Sequence, residues 1–291
     1  MARIAVFGGI YNNYLALEAA LADAHRRGVD GIYCLGDMGA FGPHPDRVFP
    51  LLREHNVMCI QGNYDNSVGN GLADCQCGYT DPRDNHFARL SYTYTFANTT
   101  LANREWLRDL PAERRIQLGR YRLLLCHGSP RRTNEFLWES TTSVAFLEHL
   151  LQSFQVDVIL GTHTGIKWHR QLANDRHFIN VGVLGRPEND CTTNVWYAVL
   201  SVADVQQSSN REGEAPAEPA QPARQEPRPP SPDRPSELRV EFIPVHYDHE
   251  RLATEMRAER LPDEFVQTVL TGWWTTCLEV LPAKERRRGH Y

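Results

Sequence analysis

Four short apolar runs in this chain each stop at a residue that can hold a ligand. "GIYCLGD" ends in Asp37 and "VMCIQGN" in Asn63, while "YRLLLCHG" delivers His127 and "VDVILGTH" delivers His163. Runs of this length, bounded by glycine and turn residues, are strands. Strands are read at 3–7, 31–35, 57–61, 122–126 and 156–160, and helices at 14–27, 45–55, 103–109 and 143–153. That alternation implies βαβ units and a largely parallel inner sheet, with the strand carboxyl ends on one edge. "WHRQL", "HFINVGV", "WYAVLSV" and "RVEFIPV" then predict an added antiparallel sheet, and helices at 248–259 and 262–271 close the chain. The expected architecture is α/β (α+β): a two-sheet β-sandwich flanked by helices, in a single domain formed by 1–205 and 238–291. Between these parts, 206–237 is rich in Pro, Ala and Glu and has no large apolar residue. Such a tract cannot bury enough surface to offset its ordering entropy, so it reads as a disordered insertion in a hairpin loop.

Composition narrows the partners. The net charge is −5, and no basic stripe precedes "ERRRG" near the end, so a nucleic-acid polymer is not expected. No apolar run approaches the roughly 20 residues of a membrane span. "MARIAVFGGI" reads as a strand rather than a leader, and a cytoplasmic location is expected. Three of the seven cysteines (Cys34, Cys59 and Cys126) lie inside apolar runs, which favours reduced thiols. Cys75 and Cys77, in "DCQCGYTDPRDN", read as loop thiols before any metal or redox role. The paired Trp273 and Trp274 read as core packing first and a lid second.

Taken singly, the four run-end residues are ordinary, since a strand-end histidine usually has a structural hydrogen bond and "GD" and "GN" are common turns. Taken together on one sheet edge, they form a mixed oxygen and nitrogen set suited to Mn²⁺, Fe²⁺ or Zn²⁺. The first turn, "VFGGIYNN", lacks both the spaced third glycine of a dinucleotide loop and a P-loop lysine. Arg131, Arg132 and Arg186 offer guanidinium forks to a phosphate, or are solvated loop residues. Asn12 and Asn13 either contact a ligand or cap the following helix.

"CLGDMGAFGPHPDRVFPLLREHNVMCIQGNYDNS" resembles the core of the calcineurin-like metallophosphoesterases, nearest to their small bacterial phosphodiesterase-like branch. "LLLCHGSP", "VDVILGTHTG", "FINVGVLGRP" and "VHYDHERLATEMRAERLPDEF" follow in the family's order, so the resemblance covers about 3–205 and 238–272. It implies a metal site made by Asp37, Asn63, His127 and His163. The ligands private to the family's second site would fall on Gly9, Tyr11 and Gly165, none of which keeps the ligand type. The family's catalytic histidine falls on Tyr64, beside Asp65, which usually pairs with it. The resemblance therefore implies one divalent metal ion (Mn, Fe or Zn), a doubtful second one, and a small phosphorylated substrate. Asp65 and Tyr64 are the catalytic candidates, and Asn13, Arg131 and Arg186 the substrate-binding ones. Two readings stay open: a phosphoester hydrolase (mono- or diester) with a mononuclear or degenerate site, and an inactive member that binds a phosphorylated ligand or a protein partner.

Overall fold

The computed structural model describes residues 1–203 and 237–286. The strands are β1 (Ala2–Phe7), β2 (Gly31–Cys34), β3 (Met58–Cys59), β4 (Arg114–Leu118), β5 (Tyr121–Leu125), β6 (Val158–Gly161), β7 (Trp168–Leu172), β8 (Arg176–Asn180), β9 (Val195–Val202) and β10 (Leu238–Val245). The helices are α1 (Tyr14–Arg26), α2 (Val48–Glu54), α3 (Asn63–Asn70), α4 (Pro82–Asn98), α5 (Leu101–Arg108), α6 (Val144–Ser153), α7 (His249–Ala258), α8 (Asp263–Thr271) and α9 (Ala283–Arg286). One sheet runs β10-β9-β1-β2-β3 and the other β4-β5-β6-β8-β7.

The fold is the expected α/β two-sheet sandwich with flanking helices, but its antiparallel strands are distributed differently. They form no sheet of their own. β1, β2 and β3 are parallel, with β9 and β10 added antiparallel on one side. β5, β6 and β8 are parallel, with β4 and β7 antiparallel at the two edges. Short turns can join only antiparallel neighbours, so each late or hairpin strand extends an existing parallel core.

Strand alternation builds the layers. Val6, Leu35 and Ile60 from one sheet pack against Leu123, Leu125 and Ile179 from the other. The opposite face of the first sheet, through Ala5, Phe7 and Cys34, joins a cluster with residues of α1, α2, α4, α7 and α8. The outer face of the second sheet, through Leu124, Ile159 and Phe178, meets α6. Each fully buried large side chain contributes about 1.5–3 kcal/mol.

In the β9–β10 ladder Val202 sits opposite Leu238, so the Pro-rich tract joins adjacent ends of a hairpin. The expectation of disorder over 206–237 lies outside the described residues except for Glu237. Among the described residues no helix is long and apolar enough to cross a membrane.

The ends of the two sheets come close beside Gly8, just past β1. A Cβ there would lie 1.8 Å from the Gly182 carbonyl oxygen and 2.5 Å from Thr162 Oγ1. Replacing Gly8 with Ala is expected to destabilise the fold by about 2–3 kcal/mol through overpacking. The effect should appear as a lower urea midpoint at unchanged slope.

Candidate metal centre and its pocket

The turns after β2, β3, β5 and β6 converge at one edge of the sandwich. Asp37 and His163 both hold left-handed backbone conformations, with φ of 57° and 66°. Such strain in non-glycine residues is retained where surrounding structure imposes it, often at functional sites. Asp37, His127 and His163 are buried, and each offers one ligand atom within 4.8 Å of the others. The Leu35 carbonyl lies 2.7 Å from His127 Nδ1. A proton on Nδ1 satisfies that carbonyl and leaves the Nε2 lone pair facing inward, as in a metal-ligating histidine. His127 Nε2 is 3.2 Å from Asp37 Oδ2 and 3.2 Å from His163 Nδ1. With the proton of His127 on Nδ1, its Nε2 and Asp37 Oδ2 are two acceptors facing each other, a contact that a proton or a metal between them relieves.

Asn63 lines the same cavity as Asp37 and His163. Its Nδ2 donates to the Cys75 carbonyl at 2.8 Å, while its Oδ1 is buried with no hydrogen-bond partner. No hydrogen bond of good geometry reaches His163 Nε2, although the Cys77 carbonyl does raise the ring's pKa. Burial, helped by His127, nevertheless takes His163 down to about 3, which keeps it neutral and ready to ligate. Burial also acts to lower His127, but Asp37 and the Leu35 carbonyl reverse this and leave its pKa raised. A carboxylate, an orphaned amide oxygen and two imidazoles fit a borderline divalent cation.

Asp65 is fully buried and takes three backbone hydrogen bonds. Its Oδ2 accepts from Asp37 N (2.6 Å) and Gly62 N (2.8 Å), and its Oδ1 accepts from Met38 N (3.0 Å). It is a positioning residue that ties the turn carrying Asp37 to the turn carrying Asn63. Burial and then Asp37 push its carboxyl up to about 7, against the three N–H donors. Tyr64 lines the cavity and is packed in place. Its hydroxyl donates to the Ala88 carbonyl at 3.3 Å, and burial raises the phenol pKa further, so it is no proton donor at neutral pH. Its backbone N–H donates to Asp37 Oδ1 at 3.0 Å.

A cavity of about 50 Å³ opens beside this cluster, with Tyr11, Asp37, Asn63, Tyr64, His163 and Arg186 in its lining. The positions implied for a second metal set are closed off. A Cβ on Gly9 would lie 2.4 Å from Tyr11 Cε1. Gly165 has φ of 79°, and a Cβ there would lie 3.1 Å from Trp274 Cη2 and 3.5 Å from Arg186 Nη2. The Tyr11 ring, the Arg186 guanidinium and Trp274 therefore fill the space those ligands would need. Burial and Asp37 keep the Tyr11 hydroxyl protonated.

Of the three substrate-binding candidates, only Arg186 lines this cavity. Asn13 caps α1, accepting from Ala16 N at 3.0 Å, and donates to the Gly185 carbonyl at 3.3 Å. Asn12 is buried and donates to the Gly42 carbonyl at 2.9 Å. Arg131 is ion-paired with Glu135 and lines a separate hollow with His127, Ser129 and Arg132. Trp274 is packed as expected, 4 % exposed, and also forms the wall beside Arg186.

Two features were not anticipated. Cys75 and Cys77 form a disulfide, which corrects the expectation of reduced loop thiols for this pair. Cys34, Cys59, Cys126, Cys191 and Cys277 are free. The Cys75 carbonyl also turns the Asn63 amide so that its oxygen is left for a ligand.

A helix-flanked double sheet whose strand ends gather Asp, Asn and two His defines a metallophosphoesterase-type protein. The calcineurin-like phosphoesterase superfamily domain matches residues 3–204, and the chain belongs to that family. An uncharacterized protein of Methanocaldococcus jannaschii, MJ0912, is 28% identical over 136 residues, which are 47% of this chain and 52% of that protein. The match thus spans about half the length of this curated relative. The crystal structure of hypothetical protein PH1004 from Pyrococcus horikoshii OT3 is similar over 94% of this chain and 100% of its own, with a TM-score of 0.70 at 20% identity. That of a metallophosphoesterase from Sphaerobacter thermophilus is similar over 93% and 99%, with a TM-score of 0.62 at 23% identity. At these identities the likeness shows the fold.

Proposed function

We propose that this chain is a phosphoester hydrolase working with one divalent cation held by Asp37, Asn63, His127 and His163. The observation carrying this reading is the convergence of buried ligand atoms from Asp37, His127 and His163, beside an Asn63 Oδ1 that is buried with no hydrogen-bond partner. A bound cation of this kind polarises a phosphoryl oxygen and lowers the pKa of water. Asp65 holds the two ligand-bearing turns in register. Tyr11 and Tyr64 wall the cavity with protonated hydroxyls. Among the described residues no histidine besides the ligand His163 lines the cavity, so the leaving group gains little help from a general acid, a contribution of typically about 10²–10⁴-fold. Esters with good leaving groups, such as aryl phosphates, are the substrates this arrangement suits.

The test is elemental analysis of the full chain, followed by assay of aryl phosphate monoesters and diesters with Mn²⁺, Fe²⁺ or Zn²⁺ supplied. About one metal per chain, with turnover abolished in His163→Ala, is the expected result. The missing general acid favours a second reading, in which a phosphorylated ligand or partner is bound without turnover. Metal retention with no hydrolysis of either ester class would select that reading.

A further inference from the structure

We propose that Arg186 is the oxyanion anchor of this pocket, gripping a single dianionic phosphoryl group beside the metal ligands. The proposal deepens the preceding reading and rests on it for the metal, though not for the arginine. Arg186 is only 7 % exposed, and its Nε is buried without a hydrogen-bond partner. The other buried or pocket-edge cations behave differently: Lys167 pairs with Glu188, and Arg131 with Glu135. Among the described residues no carboxylate or carbonyl takes a hydrogen bond from Arg186. Its guanidinium carbon lies 3.6 Å from the Trp274 ring centroid and 5.6 Å from that of Phe41. Trp274 is itself fixed, donating from Nε1 to the Pro187 carbonyl at 2.6 Å and from its backbone N–H to Asn189 Oδ1 at 2.9 Å. The fork is therefore laid on a rigid wall with its N–H donors uncommitted.

A buried charge without a counter-charge is expensive, and aromatic contact offsets only part of that expense. An anion entering from solution would remove the penalty. The charge balance calls for an anion. Asp37 and Asp65 together contribute at most two negative charges, a divalent cation two positive and Arg186 one positive, so the net is positive in either state of Asp65. Of the phosphoryl anions, a terminal group brings the larger charge and a single substituent, whereas an internal phosphodiester is a monoanion with two. The cavity of about 50 Å³ accepts a compact tetrahedral group and leaves a bulkier remainder outside. The Arg186 Nη2 beside Gly165 also places this fixed cation where a further metal ligand would otherwise start.

Inorganic phosphate is the probe, titrated calorimetrically into the full-length protein. Arg186→Met keeps the apolar stem on Trp274 and removes the charge. Its phosphate affinity should fall by about tenfold or more, with metal per chain unchanged. Arg186→Lys keeps the charge without the fork and should fall in between; it also serves as the readout should Arg186→Met not fold. Dimethyl phosphate, a monoanion, should bind the wild type at least about tenfold more weakly than phosphate. Phosphate affinity unchanged in a folded Arg186 variant overturns the anchor, and equal binding of the two probes overturns the dianion assignment. Failure of the hydrolase reading looks different: Arg186-dependent phosphate binding would persist while no ester is cleaved.

Discussion

A His127→Ala variant should come off the purification column without metal and without turnover. His127 is 1 % exposed and is oriented by the Leu35 carbonyl, so its Nε2 is held in place beside Asp37. Loss of an outer partner of a metal ligand typically costs about 10–100-fold in affinity or activity, and loss of the ligand itself should exceed that. The pH dependence has a defined sign. Metal and proton compete for His127 Nε2, whose pKa is raised by Asp37, so metal affinity falls as the pH drops through that raised value. His163, at about 3, adds no competition near neutrality. Stability of the metal-free protein runs the other way. The protonated His127–Asp37 pair stabilises the fold fully below the unfolded imidazole pKa of about 6.5, and that contribution is lost as the pH rises through the raised folded value. Metal retained on dialysis and thermal midpoints, each followed from about pH 5 to 8, should therefore show opposite slopes. Retention of stoichiometric metal by His127→Ala would rule out the proposed ligand set.

The parts of this site that were legible in the sequence are local ones. A strand followed by Gly-Asp, Gly-Asn or His can be read within seven residues, and those readings correspond to the ends of β2, β3, β5 and β6. What the side chains do after that is tertiary. Asp65 lies two residues past Asn63, yet two of its three hydrogen bonds go to the turn 27 and 28 residues away. The amide of Asn63 is oriented by the carbonyl of Cys75, in a loop whose disulfide has no counterpart in the strand pattern. Arg131 and Arg186 look alike as loop arginines, and only folding puts Glu135 beside one and Trp274 beside the other. The apolar pattern predicts no helix where α4 lies. Its buried residues include Asp84, Ser91 and Thr95 along with Phe87 and Tyr92, so its inward face is not an apolar stripe. The available cue was Asp81-Pro82: the Asp81 side chain accepts from the N–H groups of Arg83 and Asp84, and Pro82 opens the helix.

Asp65→Ala should be the most destabilising single substitution near the site. It would leave three buried N–H groups, those of Asp37, Met38 and Gly62, without their acceptor. At roughly 1–3 kcal/mol for each orphaned group, with partial relaxation, the loss should reach about 4 kcal/mol. Asp65→Asn separates shape from charge. The amide oxygen placed at Oδ2 can still accept from Asp37 and Gly62, but its NH₂ then faces the Met38 N–H, two donors against each other. About half the full loss is expected. Because Asp37 follows its own N–H, the Asn variant should also bind metal about 10–100-fold more weakly while remaining folded. Urea titration with metal removed gives the stability term, and competition against a chelator gives the metal term. If Asp65→Ala melts within about 1 kcal/mol of wild type, the two turns are held by their strands and helix rather than by this carboxylate. If Asp65→Asn is as stable as wild type but loses metal, the carboxylate acts through its charge on the cation instead of through the backbone of Asp37.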